Sequence, residues 1–76
     1  MEVKVYTTTH CPNCKVLKRL LDGNNVKFES INLEENPDAL NEMVEATNQR
    51  TVPVTKVNGE WIVGMDMVKL SKALGL

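Results

Sequence analysis

Val3 and Val5 alternate with Lys4 and Tyr6, so the chain opens on a short strand with Val3 and Val5 on one face. The polar run Thr7 to His10 reads as a loop. From Pro12 the period changes. Cys14, Leu17 and Leu21 recur at helical spacing, Val16 and Leu20 widen the apolar stripe, and Lys15, Lys18, Arg19 and Asp22 take the opposite face. Pro12 suits the first turn of this helix, where its missing N–H costs nothing, and Gly23 with Asn24 and Asn25 ends it. Val26 to Ile31 predicts a second strand, in which Val26 and Phe28 alternate with Lys27 and Glu29 before the pattern slips toward Ile31 and Leu33. Asn36 as N-cap and Pro37 at the next position open a second helix, with Ala39, Leu40, Met43 and Val44 as its stripe. Thr47 to Arg50 is a polar connection. Val52 to Val57 predicts a third strand, interrupted early by Pro53. Asn58-Gly59 makes a tight hairpin, because both positions tolerate positive φ, and Glu60 to Val63 is the return strand. Gly64 precedes a last helix that Asp66 caps, with Met67, Leu70 and Leu74 on its buried side and Gly75 as its stop.

The order is β-α-β-α-β-β-α. Its first three elements can form a right-handed parallel unit, and the hairpin adds antiparallel strands. Three helices then cover both faces of a four-stranded mixed sheet, which is the thioredoxin-like arrangement of the α/β class. The expected core is Val3, Val5, Leu17, Leu21, Val26, Phe28, Leu40, Val54, Val57, Ile62 and Leu70. A ferredoxin-like order would end in a strand, whereas this chain ends in a helix.

Length and charge narrow the function. Seventy-six residues suit a single domain, 1–76, and a chain this short buries only about 60–65% of its unfolded surface. Nine basic against ten acidic residues leave a net charge of -1, without the basic excess that nucleic acid or an anionic membrane surface requires. Residues 1–10 alternate and carry Glu2 and Lys4, unlike a secretory signal. No apolar run approaches the roughly 20 residues of a membrane span. A cytoplasmic setting is therefore expected. There a lone cysteine pair is more often catalytic or metal-binding than structural.

That pair is Cys11-Pro12-Asn13-Cys14, between the first strand and the first helix. Unpaired N–H groups and the dipole of a helix start favour a thiolate at Cys11, and Lys15 and Lys18 add positive potential. Cys14 shares a face with Leu17 and Leu21, so it is expected to be the more buried thiol. Cys11 then attacks a disulfide and Cys14 resolves the mixed disulfide. Asn13 is exposed in this reading and meets the substrate. His10 is either a base toward Cys11 or a solvated residue that tunes the local potential. A structural disulfide and a metal site are the alternatives. Structural zinc takes four protein ligands, and two cysteines supply half of them, with His10 badly spaced to close the same cage, so no metal is assigned. Pro53 reads as an edge-strand proline or as a cis Val52-Pro53 bond beside Cys11.

Thr9-His10-Cys11-Pro12-Asn13-Cys14, then Thr51-Val52-Pro53, then Gly64-Met65-Asp66 resembles the glutaredoxin family across essentially the whole chain. The resemblance implies a cis Pro53, Cys11 as nucleophile, and a groove for glutathione as co-substrate, with no tightly bound cofactor. Met65 and Asp66 would hold the γ-glutamyl end, Val52 would pair with the tripeptide backbone, and Arg50 would meet the glycine carboxylate. Asn13 stands where the family usually has tyrosine, Thr8 where a basic residue is common, and Gly64 where a Gly-Gly pair is familiar. The chain also looks like the compact redoxins that serve ribonucleotide reductase and are recharged by thioredoxin reductase. In those relatives a tryptophan precedes the same glycine, whereas Trp61 here reads as hairpin packing. The implied partners of a monomer are disulfide-containing proteins, with glutathione or thioredoxin reductase as the source of electrons. In this family Cys11 from two subunits, with two glutathiones, could instead hold a [2Fe–2S] cluster.

Overall fold

The opening alternation becomes β1 (Val3–Thr7), and both of its faces are covered. A computed structural model describes residues 2–76. The remaining elements are α1 (Pro12–Gly23), β2 (Glu29–Asn32), α2 (Pro37–Thr47), β3 (Val54–Val57), β4 (Glu60–Val63) and α3 (Met67–Leu74). The sheet runs β2-β1-β3-β4. β1 pairs parallel with β2 and antiparallel with β3, and β3 pairs antiparallel with β4. This is the thioredoxin-like arrangement that the element order predicts.

Each sheet face carries its own core. On one, Val3, Val5, Val57 and Ile62 meet Leu17 and Leu21 of α1 and Leu70 and Leu74 of α3. On the other, Tyr6 and Val54 meet Leu33 and Met43, with Leu40 and Trp61 packed alongside. The alternation within β1 and β3 is what divides the residues between the two faces. Trp61 stacks beside Tyr6, ring centroids 5.2 Å apart, and Lys56 Nζ sits 4.9 Å from the Trp61 ring. Hairpin packing is therefore its place.

Several expectations shift. Val26, Lys27 and Phe28 precede β2 rather than begin it. Asn25 is left-handed at φ 58°, and the Val26 N–H still donates to Leu21 O at 2.9 Å, so the chain is turning off α1 there. Val26, Phe28 and Leu40 flank the cores as half-buried residues instead of forming them, while Tyr6, Leu33 and Met43 are buried centres that the expected core lacked. β3 begins after Pro53, at Val54. Val16 is 52% exposed. It lies two residues past Cys14, about 200° round the helix and off the apolar stripe. Met67 is 41% exposed because it opens α3 one turn before Leu70, past the end of β4. Asn36 stands at the N-cap of α2, but its side chain donates to Asn32 O at 2.8 Å rather than capping.

Helix ends and turns follow their letters elsewhere. Asp66 accepts the Lys69 N–H at 3.1 Å as the cap of α3, and Gly75 closes that helix at φ 74°. Asn58 and Gly59 take φ 49° and 93° in the hairpin turn.

Candidate active site

Strand register brings the three motifs to one end of the sheet. Tyr6 pairs with Val54 and Val54 with Val63, so the exit of β1, the entry of β3 and the exit of β4 lie side by side. The segment before α1, Pro53 and the Gly64–Asp66 turn grow from those three points. Both α1 and α3 start at this end, because each follows a strand that points toward it. The Gly64 N–H donates to Pro53 O at 2.9 Å, which ties the second motif to the third.

Cys11 is the N-cap of α1 in extended conformation, φ -132° and ψ 98°, and Pro12 occupies the first turn. The Cys11 sulfur accepts the Cys14 N–H at 3.2 Å, the bond that a serine or aspartate cap ordinarily makes. No acidic residue lies in the first turn of α1 to compete for those N–H groups. The two cysteines are joined as a disulfide, with Cα atoms 5.2 Å apart. Cys11 is 8% exposed and Cys14 1%, so both are largely covered and Cys11 is the sulfur nearer solvent. Asn13, Lys15 and His10 are exposed around them.

The Val52-Pro53 bond is cis. Pro53 is buried and Val52 half-buried, packed beside the Tyr6 core. Among the described residues neither the N–H nor the C=O of Val52 meets a backbone partner. Arg50 and Thr51 are exposed just before it; the Thr51 hydroxyl donates to Gln49 Oε1 at 3.0 Å. Met65 is half-buried against the α1–α3 core. Asp66 uses Oδ1 for its capping bond.

A polar network beside the cysteines joins Thr9 of the first motif to Asn32 and Glu34, which lie outside all three motifs. The Thr9 N–H donates to Glu34 Oε1 at 2.6 Å, and Asn32 Nδ2 donates to Thr9 Oγ1 at 3.1 Å. Asn32 Oδ1 also accepts the Glu34 N–H at 2.9 Å. Thr9's side chain, then its N–H, hold the Glu34 carboxyl below the usual carboxylate value, and the His10 charge adds to this. Asn32, with its side chain bonded two residues on, is an Asx turn. That local turn is legible in Asn32-Leu33-Glu34, but its partner at Thr9 is not.

Among the described residues no three His, Cys, Asp or Glu side chains gather as a metal would need. One chain offers two sulfurs, half of the four protein ligands that a structural zinc site takes. Two surface hollows lie at the far end of the sheet, around Val26, Lys27 and Phe28 and around Val3, Leu74 and Leu76; neither holds a cysteine.

The glutaredoxin family model matches residues 3–62. An uncharacterised glutaredoxin-like 8.6 kDa protein from the rubredoxin operon of Clostridium pasteurianum is 32% identical over 72 residues, which cover 95% of this chain and 96% of that one. Among solved structures, a buckwheat glutaredoxin–glutathione complex aligns with TM-score 0.76 at 29% identity, over 96% of this chain and 69% of that chain. The glutaredoxin-like NrdH-redoxin of Escherichia coli, described by a thioredoxin-like activity profile, aligns with TM-score 0.77 at 29% identity, over 92% and 93%.

Proposed function

This chain belongs to the glutaredoxin family, and from that membership we propose a dithiol thiol–disulfide oxidoreductase in which Cys11 is the attacking sulfur and glutathione the co-substrate. The observation that carries the division of labour is the unequal cover of the two sulfurs, 8% against 1% exposed, with the Cys14 N–H aimed at Cys11 Sγ. In the reduced protein that N–H and the start of α1 favour the Cys11 thiolate. The thiolate attacks one sulfur of a substrate disulfide; a Cys11–substrate disulfide forms and the other substrate sulfur leaves as a thiolate. Cys14 then loses its proton and attacks Cys11 Sγ. The second substrate thiolate departs, and two electrons have passed to the substrate. The product is the Cys11–Cys14 disulfide of this structure. Two glutathione molecules return it to the dithiol and leave as glutathione disulfide.

The groove for glutathione is proposed along Arg50, Thr51, Val52, Pro53, Met65 and Asp66. Support comes from the unpartnered Val52 backbone, the cis Pro53 and the bond that ties Pro53 to Gly64. Asn13 and Thr8 supply neither an aromatic wall nor a cation there. A second reading follows from that deficit and from the likeness to NrdH-redoxin, which spans nearly all of both chains. In it, thioredoxin reductase recharges the disulfide and ribonucleotide reductase receives the electrons.

Paired turnover assays decide between the two. Saturable turnover with glutathione and glutathione reductase is the expected result. Turnover with thioredoxin reductase alone, and none with glutathione, would replace the glutathione reading by the redoxin one.

A further inference from the structure

Residues Thr8 to His10 lead straight into the Cys11 cap, and they have no apolar burial to hold them: Thr9 and His10 are exposed and Thr8 is half-exposed. Their position therefore depends on hydrogen bonds. At the downstream end α1 holds Cys11, whose C=O accepts the Lys15 N–H at 3.2 Å and whose sulfur accepts the Cys14 N–H. At the upstream end the Thr7 hydroxyl of β1 donates to Thr8 O at 3.2 Å, and the other bonds come from one short segment. The Leu33 N–H donates to Thr7 O at 2.9 Å, Asn32 Nδ2 reaches Thr9 Oγ1, and Glu34 Oε1 takes the Thr9 N–H. That segment is itself fixed. Asn32 Oδ1 holds the Glu34 N–H, and Asn32 O accepts both Asn36 Nδ2 and the Glu35 N–H.

We propose that Glu34, oriented by Asn32, is a positioning residue for the nucleophile: its carboxylate pins Thr9, two residues before Cys11, and so keeps the Cys11 sulfur on the N–H groups that open α1. This rests on the reading of Cys11 as the attacking thiolate. Two residues of backbone span at most about 7 Å, so Thr9 and Cys11 are tied as near neighbours. A sulfur moved by an ångström loses its bond to the Cys14 N–H, and with it a source of thiolate stabilisation. The charged group facing Glu34 from the loop is His10; Glu35 on its own turn and Asp38 at the start of α2 are exposed acids.

Position and charge make opposite predictions. Glu34 carries negative charge near the nucleophile, so an electrostatic role would disfavour the thiolate, and removing the charge would lower the Cys11 pKa. A bracing role favours the thiolate, and removing the brace raises that pKa. Glutamine separates the two, since Glu34→Gln discards the charge and keeps an oxygen for the Thr9 N–H.

The test uses the full, reduced chain. The rate of iodoacetamide alkylation at Cys11 is followed against pH, with the labelled residue identified by mass spectrometry, alongside reduction of a protein disulfide and thermal melting. In Glu34→Ala the Cys11 pKa rises and disulfide reduction at neutral pH slows about tenfold, the scale of one charge-assisted hydrogen bond lost from a positioned group. Glu34→Gln stays close to wild type in both. Asn32→Ala moves both in the same direction as Glu34→Ala, and it serves as the second probe if that variant folds poorly. A pKa lowered alike in Ala and Gln overturns the proposal in favour of charge. A pKa and rate unchanged in a folded Glu34→Ala overturn it in favour of a loop tie without consequence for the sulfur. Alkylation of wild type at Cys14 first overturns the assignment of the nucleophile itself, a result visible before any Glu34 variant is made.

Discussion

Tyr6 is buried at the centre of the sheet, and its hydroxyl donates to Glu42 Oε1 at 2.9 Å. Burial, and then the Glu42 carboxylate, push its phenol well above the ordinary value of 10.0. The folded-state value is therefore raised. Its contribution to stability is fully present below 10.0 and is lost as pH climbs through the folded value, because the unfolded chain releases the proton first. Denaturant titrations of wild type and Tyr6→Phe should run parallel at neutral pH, with the variant less stable by about 1 kcal/mol for the lost hydrogen bond. Above pH 10 the gap should shrink, and a gap that widens there would contradict the burial argument. Glu34 works at the other end of the scale. Its carboxyl is held below the usual value, so whatever it contributes is present above that value and fades as pH falls through the lowered one. The cysteines were legible as residues, with their unequal cover, because one falls on the cap and the other on the apolar stripe of the same helix. The tie from Thr9 to Glu34 was not legible, since the two stand 25 positions apart.

At the scale of elements, α3 depends on Asp66 twice: as N-cap and, in the proposed groove, as a ligand for glutathione. The two roles separate by substitution. Asp66→Ala should cost about 1 kcal/mol of stability through the lost cap. Asp66→Asn should keep that stability. Both should raise the KM for glutathione, and an unchanged KM in both would remove Asp66 from the groove. β3 contains a different defect. Thr55 is fully buried between Val5 and Ile62, and among the described residues its hydroxyl has no hydrogen-bond partner. Thr55→Val keeps the shape and removes the unpaired group, so it should stabilise the fold by about 1 kcal/mol in chemical denaturation; a loss would mean that the hydroxyl has a partner after all. Helix boundaries were legible because caps and prolines are local signals. The start of β2 was not. Val26 and Phe28 alternate like a strand, yet pairing with β1 begins only at Glu29 opposite Lys4, and a ladder partner is not written in the strand's own letters.

For the whole molecule, topology explains why three motifs scattered along 76 residues lie at one end of the sheet. Strand β1 is shared by a parallel and an antiparallel neighbour, so its C-terminal end lies beside the start of β3 and the end of β4. The element order predicted the mixed sheet, whereas the meeting of the motifs came only from the family resemblance, and the cis Pro53 that it implied is present. The division of the core into two faces was only half legible. The α1–α3 side follows regular stripes, whereas the α2 side is built on Tyr6, Leu33 and Met43, which sit at a strand end, a turn and a helix middle. Reduction of disulfides through Cys11, with Cys14 resolving, is the proposed chemistry. It is tested most directly by mixing reduced Cys14→Ser and Cys11→Ser variants, separately, with a protein disulfide and analysing the acid-quenched products by mass spectrometry. A substrate adduct on Cys11 should accumulate in Cys14→Ser, with neither adduct nor reduction in Cys11→Ser. Disulfide reduction by Cys11→Ser, or an adduct on its Cys14, would contradict that chemistry.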